Sequence, residues 1–542
     1  MRAKKSRVAF CLLCTFVAGV SAWSAQAQSE PGGTITPVEK CADLVNFHIP
    51  GTNMTITKAE AVPTTPPGAL HAASITGARI PVAIPAYCRA EGVIDPRTGF
   101  DNKPYAIGFA IALPDNWNGR FLFQGGGGLN GSITPPLGGQ AAGDSPALAR
   151  GFAVVSTDTG HKGAVFDAAF MKDQLADLNF AYIAVGRVAV ISKEIIAQYY
   201  GQGAKHSYYD GCSTGGREGM LMSQRYPTYF DGVVVGDPAM RTGYSNIGLT
   251  YARNAFAQIA PKDASGKPEP AKDFSPGDKK LLADGIMKSC DEKDGLKDGM
   301  IFNTEACQFD PAVLKCKGAK TESCLTDQQV GALQKAFSGP KDSHGNQVYA
   351  RFPWDTGYIL SAGSGPFAVF SSFLPTEGPS AIAAVQPRAD LTIDQMVAGV
   401  EANESQTLSD TTWTNLTTFS GHGGKLIFYH GTSDPVFSPF DTLAYYERMA
   451  KNNGGLDQVE NWSRFFFVPG MNHCAGGPAA LDNFDMLGAV VNWVENGVAP
   501  DSVVAKGKAF PGRTRPLCAY PKHAQYRGQG DPQDADSFEC VR

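Results

Sequence analysis

Short apolar runs bounded by glycine, proline, asparagine and aspartate recur in both end regions of the chain, each too short for a helix. They predict strands over residues 105–113, 119–124, 151–156, 206–210, 231–235, 425–429 and 464–468. Between them the period changes. Residues 180–200 and 484–495 place apolar side chains three and four apart with little glycine, the pattern of a helix with one buried face. Alternating strands and helices imply an α/β core, a mostly parallel sheet covered by helices.

The strand pattern stops at Gly236 and resumes at Lys425. The interval holds four cysteines, an acidic loop and Gly-, Ser- and Pro-rich stretches such as 361–378. It reads as a large inserted domain, 238–420, between the two parts of one core, 28–237 and 421–542. No internal repeat of solenoid spacing is present.

Residues 1–27 begin with Arg2, Lys4, Lys5 and Arg7, continue through an apolar stretch, and end in Ala25-Gln26-Ala27. This is the layout of an export signal, and the apolar run is short for a membrane anchor. Cleavage would remove four basic and no acidic residues, moving the formal charge from −5 to −9. An acidic exported chain with no second long apolar run excludes nucleic acid and the bilayer as expected partners and leaves small molecules.

Ten cysteines follow the signal, an even number that in an exported chain predicts five disulfides. Short separations favour Cys290 with Cys307 and Cys316 with Cys324, while Cys518 and Cys540 would staple the C-terminal tail. Zinc through these cysteines would need tighter Cys and His spacing than the mature chain has.

Gly211-Cys212-Ser213-Thr214-Gly215 fits the Gly-x-Ser-x-Gly nucleophile elbow, with a predicted strand before it and a helix-compatible run after it. The small neighbours let the backbone turn sharply and put the Ser213 hydroxyl at the head of a helix, where free N–H groups face developing negative charge. The N–H of Thr214 is one candidate oxyanion donor. The second comes from the glycine-rich loop 124–131 after an early strand, and Gly128 is the candidate. A phosphate loop would continue into Gly-Lys-Ser/Thr, which is absent, and no Gly-x-Gly-x-x-Gly here opens a convincing helix.

Asp434 follows the strand 425–429 and His473 follows 464–468, giving the chain order Ser, Asp, His of α/β-hydrolases. His473 would take the Ser213 proton and return it to the leaving alcohol, while Asp434 fixes the imidazole tautomer. Asp237 is the rival carboxylate, set aside as structural because it comes too early in the chain. His161, His422 and His430 are rival histidines. Cys212 precedes Ser213 and Cys474 follows His473, so a bridge between those cysteines would tie nucleophile and base loops together.

The loop 291–300 interleaves acids and glycines directly after Cys290. Hard oxygen donors on tight turns suit calcium, although the spacing is not that of an EF-hand. The expected ligands of one structural calcium are the carboxylates of Asp291, Asp294 and Asp298 and the carbonyls of Leu296 and Met300. The site carries no catalytic role.

The runs 209–220, 124–132, 290–300, 429–449 and 469–478 resemble the tannase and feruloyl esterase family across essentially the mature chain. Residues 316–320, 437–441 with Tyr445-Tyr446, 484–487 and 513–518 are similar to its mono(2-hydroxyethyl) terephthalate hydrolase branch. The resemblance implies an α/β-hydrolase core with an inserted lid, the triad Ser213, Asp434 and His473, oxyanion donors at Gly128 and Thr214, and a lid calcium. It implies the Cys212–Cys474 bridge and, on no other ground, Cys41 with Cys88. Phe437 resembles an aromatic wall of the terephthalate pocket. The lid arginine which holds a terephthalate carboxylate in that branch has no match in 353–385, and Arg388 stands in a different context. The resulting expectation is an acyl-enzyme serine esterase acting on aromatic esters, with hydroxycinnamoyl esters first and terephthaloyl or galloyl esters as alternatives. The alternative of another class is an exported aromatic-ligand binding protein that has lost its chemistry.

Overall fold

The computed structural model describes residues 33–71, 78–269, 272–360 and 391–542. The expected export signal 1–27, the stretch 361–378 and Arg388 lie outside them. One nine-stranded sheet dominates, in the order β1-β2-β3-β5-β4-β6-β7-β8-β9. Its strands are β1 Met54–Val62, β2 Tyr87–Thr98, β3 Pro104–Pro114, β4 Arg120–Gln124, β5 Ala153–Thr157, β6 His206–Cys212, β7 Gly232–Gly236, β8 Lys425–Gly431 and β9 Ser463–Val468.

The sheet from β5 through β4, β6, β7 and β8 to β9 is parallel, whereas β1, β2, β3 and β5 pair antiparallel. The mostly parallel expectation therefore holds for the half that carries the site. Two N-terminal strands extend the sheet beyond the sequence reading. In β2, Arg89, Glu91, Asp95 and Arg97 interrupt the apolar run, because much of this strand is only half-buried.

Parallel strands covered on both faces need unbroken apolar sequence. Every residue of β4, β5 and β7 is buried. Period-two alternation then assigns each side chain to a face. Val233, Val235, Leu426 and Phe428 join one core with Val188 and Ile195 of the helix Ala184–Tyr200, and with Tyr445 and Met449 of the helix Pro439–Asn452. Val234, Ile427 and Tyr429 join the opposite core with Leu487, Val490 and Trp493 of the helix Met486–Asn496. The predicted helix over 180–200 starts with a π-helical turn, Asn179–Ile183, before its α-helical body.

Between β7 and β8 the described residues form helices and no strand beyond isolated bridges. The helices Thr242–Ala257, Pro276–Cys290 and Asp327–Ser338 share an apolar cluster of their own, with Phe256, Leu282, Leu333, Phe337 and Tyr358 at its centre. The C-terminal segment adds a three-stranded sheet, β10 Asn483–Phe484, β11 Ser502–Lys506 and β12 Thr514–Cys518, and a hairpin, β13 His523–Tyr526 with β14 Phe538–Val541. Among the described residues, five disulfides join Cys41–Cys88, Cys212–Cys474, Cys290–Cys307, Cys316–Cys324 and Cys518–Cys540. No helix among the described residues is long and apolar enough to cross a membrane.

Candidate active site

Ser213 stands between β6 and the helix Thr214–Gln224 with φ 64° and ψ −124°. For a residue with a Cβ this conformation costs on the order of 1–3 kcal/mol, so the surroundings must impose it. They do so by close backbone approach. The Ser213 N–H donates to Gly236 O at 3.0 Å, and its carbonyl accepts from Arg217 and Ala239. A Cβ on Gly211 would meet Gly215 O at 2.6 Å, and one on Gly215 would meet Gly126 O at 2.7 Å.

The glycine-rich loop after β4 packs against this turn. Gly215 N–H donates to Gly126 O at 3.0 Å, and the Thr214 hydroxyl bonds the carbonyl of Gly128. Gly128 has φ 58°, and a Cβ there would strike Val165 O at 2.5 Å, so only glycine fits. Among the described residues the backbone N–H groups of Thr214 and Gly128 have no hydrogen-bond acceptor, and both residues line the same cavity as Ser213. The helix start leaves the first of these donors free by its nature. Glu218, fully buried, anchors the loop from below: it accepts from Gly126 N–H at 3.1 Å, Asn130 Nδ2 at 2.6 Å and the Tyr209 hydroxyl at 3.0 Å. Sequence reasoning missed this residue. Its signal was an acid in an otherwise buried stretch one turn into the elbow helix.

β8 and β9 deliver the other two groups. His473 Nδ1 lies 2.7 Å from Asp434 Oδ2, while Asp434 Oδ1 accepts the N–H groups of Val436 at 2.7 Å and Phe437 at 3.1 Å. Burial of Asp434 opposes its charge, but the His473 imidazole and the hydrogen bonds from His430 and His473 outweigh burial and hold its carboxyl well below the usual range. Burial likewise opposes charge on His473, and the Asp434 carboxylate outweighs it, raising His473 above the ordinary imidazole value. The pair favours a carboxylate facing a basic imidazole, the state a general base needs.

Asp237 takes a different position from Asp434. Its Oδ1 accepts Gly431 N–H at 2.9 Å and its Oδ2 accepts Cys474 N–H, so one fully buried carboxylate clamps the turns that carry Asp434 and His473. The Cys212–Cys474 bridge, with Cα atoms 5.9 Å apart, joins the residues flanking Ser213 and His473. Of the rival histidines, His161 is a buried ring stacked on Phe170 at 3.6 Å, pushed down to about 4 by burial, and His422 is exposed. His430 is fully buried behind Asp434.

Ser213, Thr214, Gly128 and His473 open onto one cavity of about 500 Å³. Its walls are mainly apolar, including Leu129, Leu137, Val165, Leu249, Val436 and Phe437. The Phe437 ring stands edge-on to His473 with centroids 5.3 Å apart, so it packs on the imidazole as well as lining the cavity. Thr242, Ser245, Asn246 and Leu249 enter the cavity wall from the helix Thr242–Ala257.

The acidic loop lies apart from this cavity. Asp291 and Asp294 are buried, and Asp294 is pushed up to about 7 by that burial. Asp291 Oδ1 accepts the N–H groups of Asp298 and Gly299 at 3.1 Å, and Asp294 Oδ2 accepts Phe302 N–H at 3.0 Å. Asp298 is ion-paired with Arg515, whereas Asp291 and Asp294 have no cationic partner among the described residues. Uncompensated buried oxygen donors on turns with positive-φ Gly295 and Gly299 fit a hard cation.

The family model for tannase and feruloyl esterase matches residues 88–541. The chain is 39% identical over 519 residues to the mono(2-hydroxyethyl) terephthalate hydrolase of Piscinibacter sakaiensis, spanning 85% of each chain. It is 30% identical over 476 residues to a probable feruloyl esterase B-2 of Neosartorya fischeri, spanning 84% of this chain and 86% of that one. The crystal structure of feruloyl esterase B from Aspergillus oryzae superposes with a TM-score of 0.73 at 28% identity, over 92% of this chain and 99% of that one. With a family match over most of its length, a strained serine and an imidazole on one cavity, and a buried carboxylate behind that imidazole, the chain belongs to the tannase and feruloyl esterase family of carboxylic ester hydrolases.

Proposed function

We propose that this protein hydrolyses aromatic carboxylic esters through an acyl-enzyme, with hydroxycinnamoyl esters as the preferred class. The observation that carries the reading is the mainly apolar cavity of about 500 Å³ onto which Ser213, His473 and the N–H-bearing residues Gly128 and Thr214 all open. Ser213 Oγ attacks the ester carbonyl as His473 accepts its proton, and the carbonyl oxygen, now anionic, takes hydrogen bonds from the Gly128 and Thr214 N–H groups. Collapse breaks the acyl–oxygen bond, and His473 returns the proton to the departing alcohol. Water, deprotonated by the same imidazole, then releases the acid and Ser213. Asp434 holds the Nδ1–H tautomer throughout.

The 238–420 segment serves as a lid on an α/β-hydrolase core in this reading, since it supplies Thr242, Ser245, Asn246 and Leu249 to the cavity. Asp291, Asp294 and Asp298, with the carbonyls of Leu296 and Met300, hold a structural calcium whose contribution is to neutralise buried charge. The five disulfides suit export through the signal 1–27 into an oxidising compartment.

A terephthalate half-ester is the second reading, favoured by the 39% identity to a hydrolase of that substrate. Among the described residues no lysine or arginine lines the cavity to meet its free carboxylate, which favours an uncharged acyl group such as hydroxycinnamoyl. Comparing kcat/KM for methyl ferulate, methyl gallate and mono(2-hydroxyethyl) terephthalate tests the choice. Ferulate should lead. A leading terephthalate or gallate ester overturns the preference, and no turnover together with no labelling by a fluorophosphonate favours a silent binding protein.

A further inference from the structure

The cavity over Ser213 is mainly apolar, so a polar side chain in its wall needs either a partner in the protein or one in the ligand. Several have their donors engaged within the protein. Gln124 accepts Gly138 N–H at 2.7 Å and donates to Pro135 O at 3.2 Å, and Gln140 Nε2 donates to the Tyr429 hydroxyl at 2.8 Å. The Thr214 hydroxyl donates to Gly128 O, the Thr242 hydroxyl to Gln406 Oε1 at 3.1 Å, and the Ser245 hydroxyl to Thr242 O at 2.9 Å.

Asn246 differs. It stands on the helix Thr242–Ala257 directly after Ser245, lines the same cavity and is only 4% exposed, yet its Nδ2 has no hydrogen-bond partner among the described residues. A buried amide donor left unpaired is costly, and a partner that arrives with the substrate removes that cost. Which substrate group can supply the partner follows from what the site already provides. The ester carbonyl oxygen goes to the N–H groups of Gly128 and Thr214. A carboxylate would need a cation, and among the described residues no lysine or arginine lines the cavity. What remains on an aromatic acyl group is a substituent of the ring. A phenolic hydroxyl both donates and accepts, as a carboxamide does, so either end of the Asn246 amide can pair with it.

Resting on the aromatic esterase reading, we propose that Asn246 is a specificity-determining residue: it hydrogen-bonds the phenolic hydroxyl of the acyl ring, so that the cavity prefers a phenolic acyl ester to the same ester without the hydroxyl. The bond forms on binding and leaves the steps at Ser213 and His473 unchanged. Discrimination arises because a ring without the hydroxyl buries the amide beneath it with no partner, whereas a wholly apolar wall gains nothing from the hydroxyl and distinguishes the two rings only weakly.

The test holds the alcohol constant and varies the ring, comparing kcat/KM of the full mature enzyme for methyl 4-hydroxycinnamate and methyl cinnamate. The hydroxylated ester should lead by about ten- to a hundred-fold. Asn246→Leu, close to asparagine in shape but without hydrogen-bonding atoms, should bring the ratio to within about two-fold, with the loss falling on the hydroxylated ester. Asn246→Ala, which adds no bulk, should do the same. Dividing each variant's ratio by that of the wild type cancels the intrinsic reactivity of the two esters. Asn254→Leu, the same change on the same helix outside the cavity, should keep the wild-type ratio. Because Asn246→Leu removes an unpaired donor, it should leave Tm unchanged or raised, whereas a purely structural Asn246 would lower it. A wild-type ratio of about one or below, a preference that survives both Asn246 variants, or an equal loss in Asn254→Leu overturns the role of Asn246 while the esterase reading stands. No turnover of either ester, together with no fluorophosphonate labelling of the wild type, removes both.

Discussion

His430 Nε2 stands 3.2 Å from Asp434 Oδ2, the same oxygen that His473 Nδ1 reaches at 2.7 Å. Two histidines thus converge on one carboxylate. His430 Nδ1 is 3.0 Å from the Thr442 hydroxyl, its Nε2 is also 3.1 Å from Phe437 O, and Asp237 faces it at 3.8 Å. His430 does not line the cavity, so its expected part in the reaction is that of a positioning residue acting through Asp434. His430→Leu, which has no donor, should lower kcat about ten- to a hundred-fold with little change in KM, the loss expected for one hydrogen bond to a buried charge. A change in KM alone would remove this role.

The pH profile follows from the His473–Asp434 pair. Attack requires neutral imidazole and His473 is raised, so kcat/KM should climb with pH along a limb centred above about 6.5. Asp434→Asn should move that limb to lower pH and cut kcat on the order of 10⁴-fold, through loss of tautomer control. For stability the signs differ between partners. The raised His473 contributes fully below its unfolded value and loses the contribution as pH rises through its folded value. The depressed Asp434 contributes above its unfolded value and loses the contribution as pH falls through its folded one. The pair therefore stabilises most between about pH 4 and 6.5, which Tm measured against pH in the wild type and Asp434→Asn will check.

Ser213→Ala should reduce kcat by about 10⁴- to 10⁶-fold and abolish fluorophosphonate labelling, with Tm within a few degrees of wild type. The backbone bonds that shape the elbow involve main-chain atoms and survive the change. Retention of most turnover would place the nucleophile elsewhere.

Replacing Cys212 and Cys474 together by alanine should cost about 2–5 kcal/mol of stability and lower kcat as well, because the bridge fixes the spacing of the nucleophile and base loops. Replacing Cys316 and Cys324, which close an eight-residue separation remote in sequence from the triad, should affect Tm without kcat. Equal kinetic effects of the two double variants would show that the first bridge has no special part in the geometry.

Removal of calcium by a chelator should lower Tm, and turnover measured well below the transition should persist. Calcium added back should restore Tm, and magnesium should do so less well, since a loop of carboxylates and carbonyls suits the larger ion. Loss of turnover at unchanged Tm would make the ion catalytic.

Much of the site was legible because α/β sheets place function at the ends of strands: β8 and β9 carry apolar runs whose ends a sequence displays, and the Tyr-rich β6 leads directly into a serine flanked by small residues. Ser213, Asp434 and His473 each follow such an end. Glu218, Asp237 and His430 were harder to read. Each is a fully buried polar residue, and Glu218 and Asp237 find partners far along the chain, Asp237 194 residues from Gly431 and 237 from Cys474. β1 and β2 escaped for a related reason: half-buried edge strands mix charged and apolar positions and lose the signal that buried strands carry.

The chain by itself displayed the elbow, the glycine loop and the acidic turn, because each depends on neighbours a few positions away, and it displayed the order of Ser213, Asp434 and His473 because each follows the end of a strand. Tertiary structure alone decided which histidine stands behind Asp434 and how Asp237 clamps the turns that carry Asp434 and His473. Those relations arise from how strands and loops distant in sequence stack side by side. The distances that set them are fixed by packing the whole sheet rather than by any one segment.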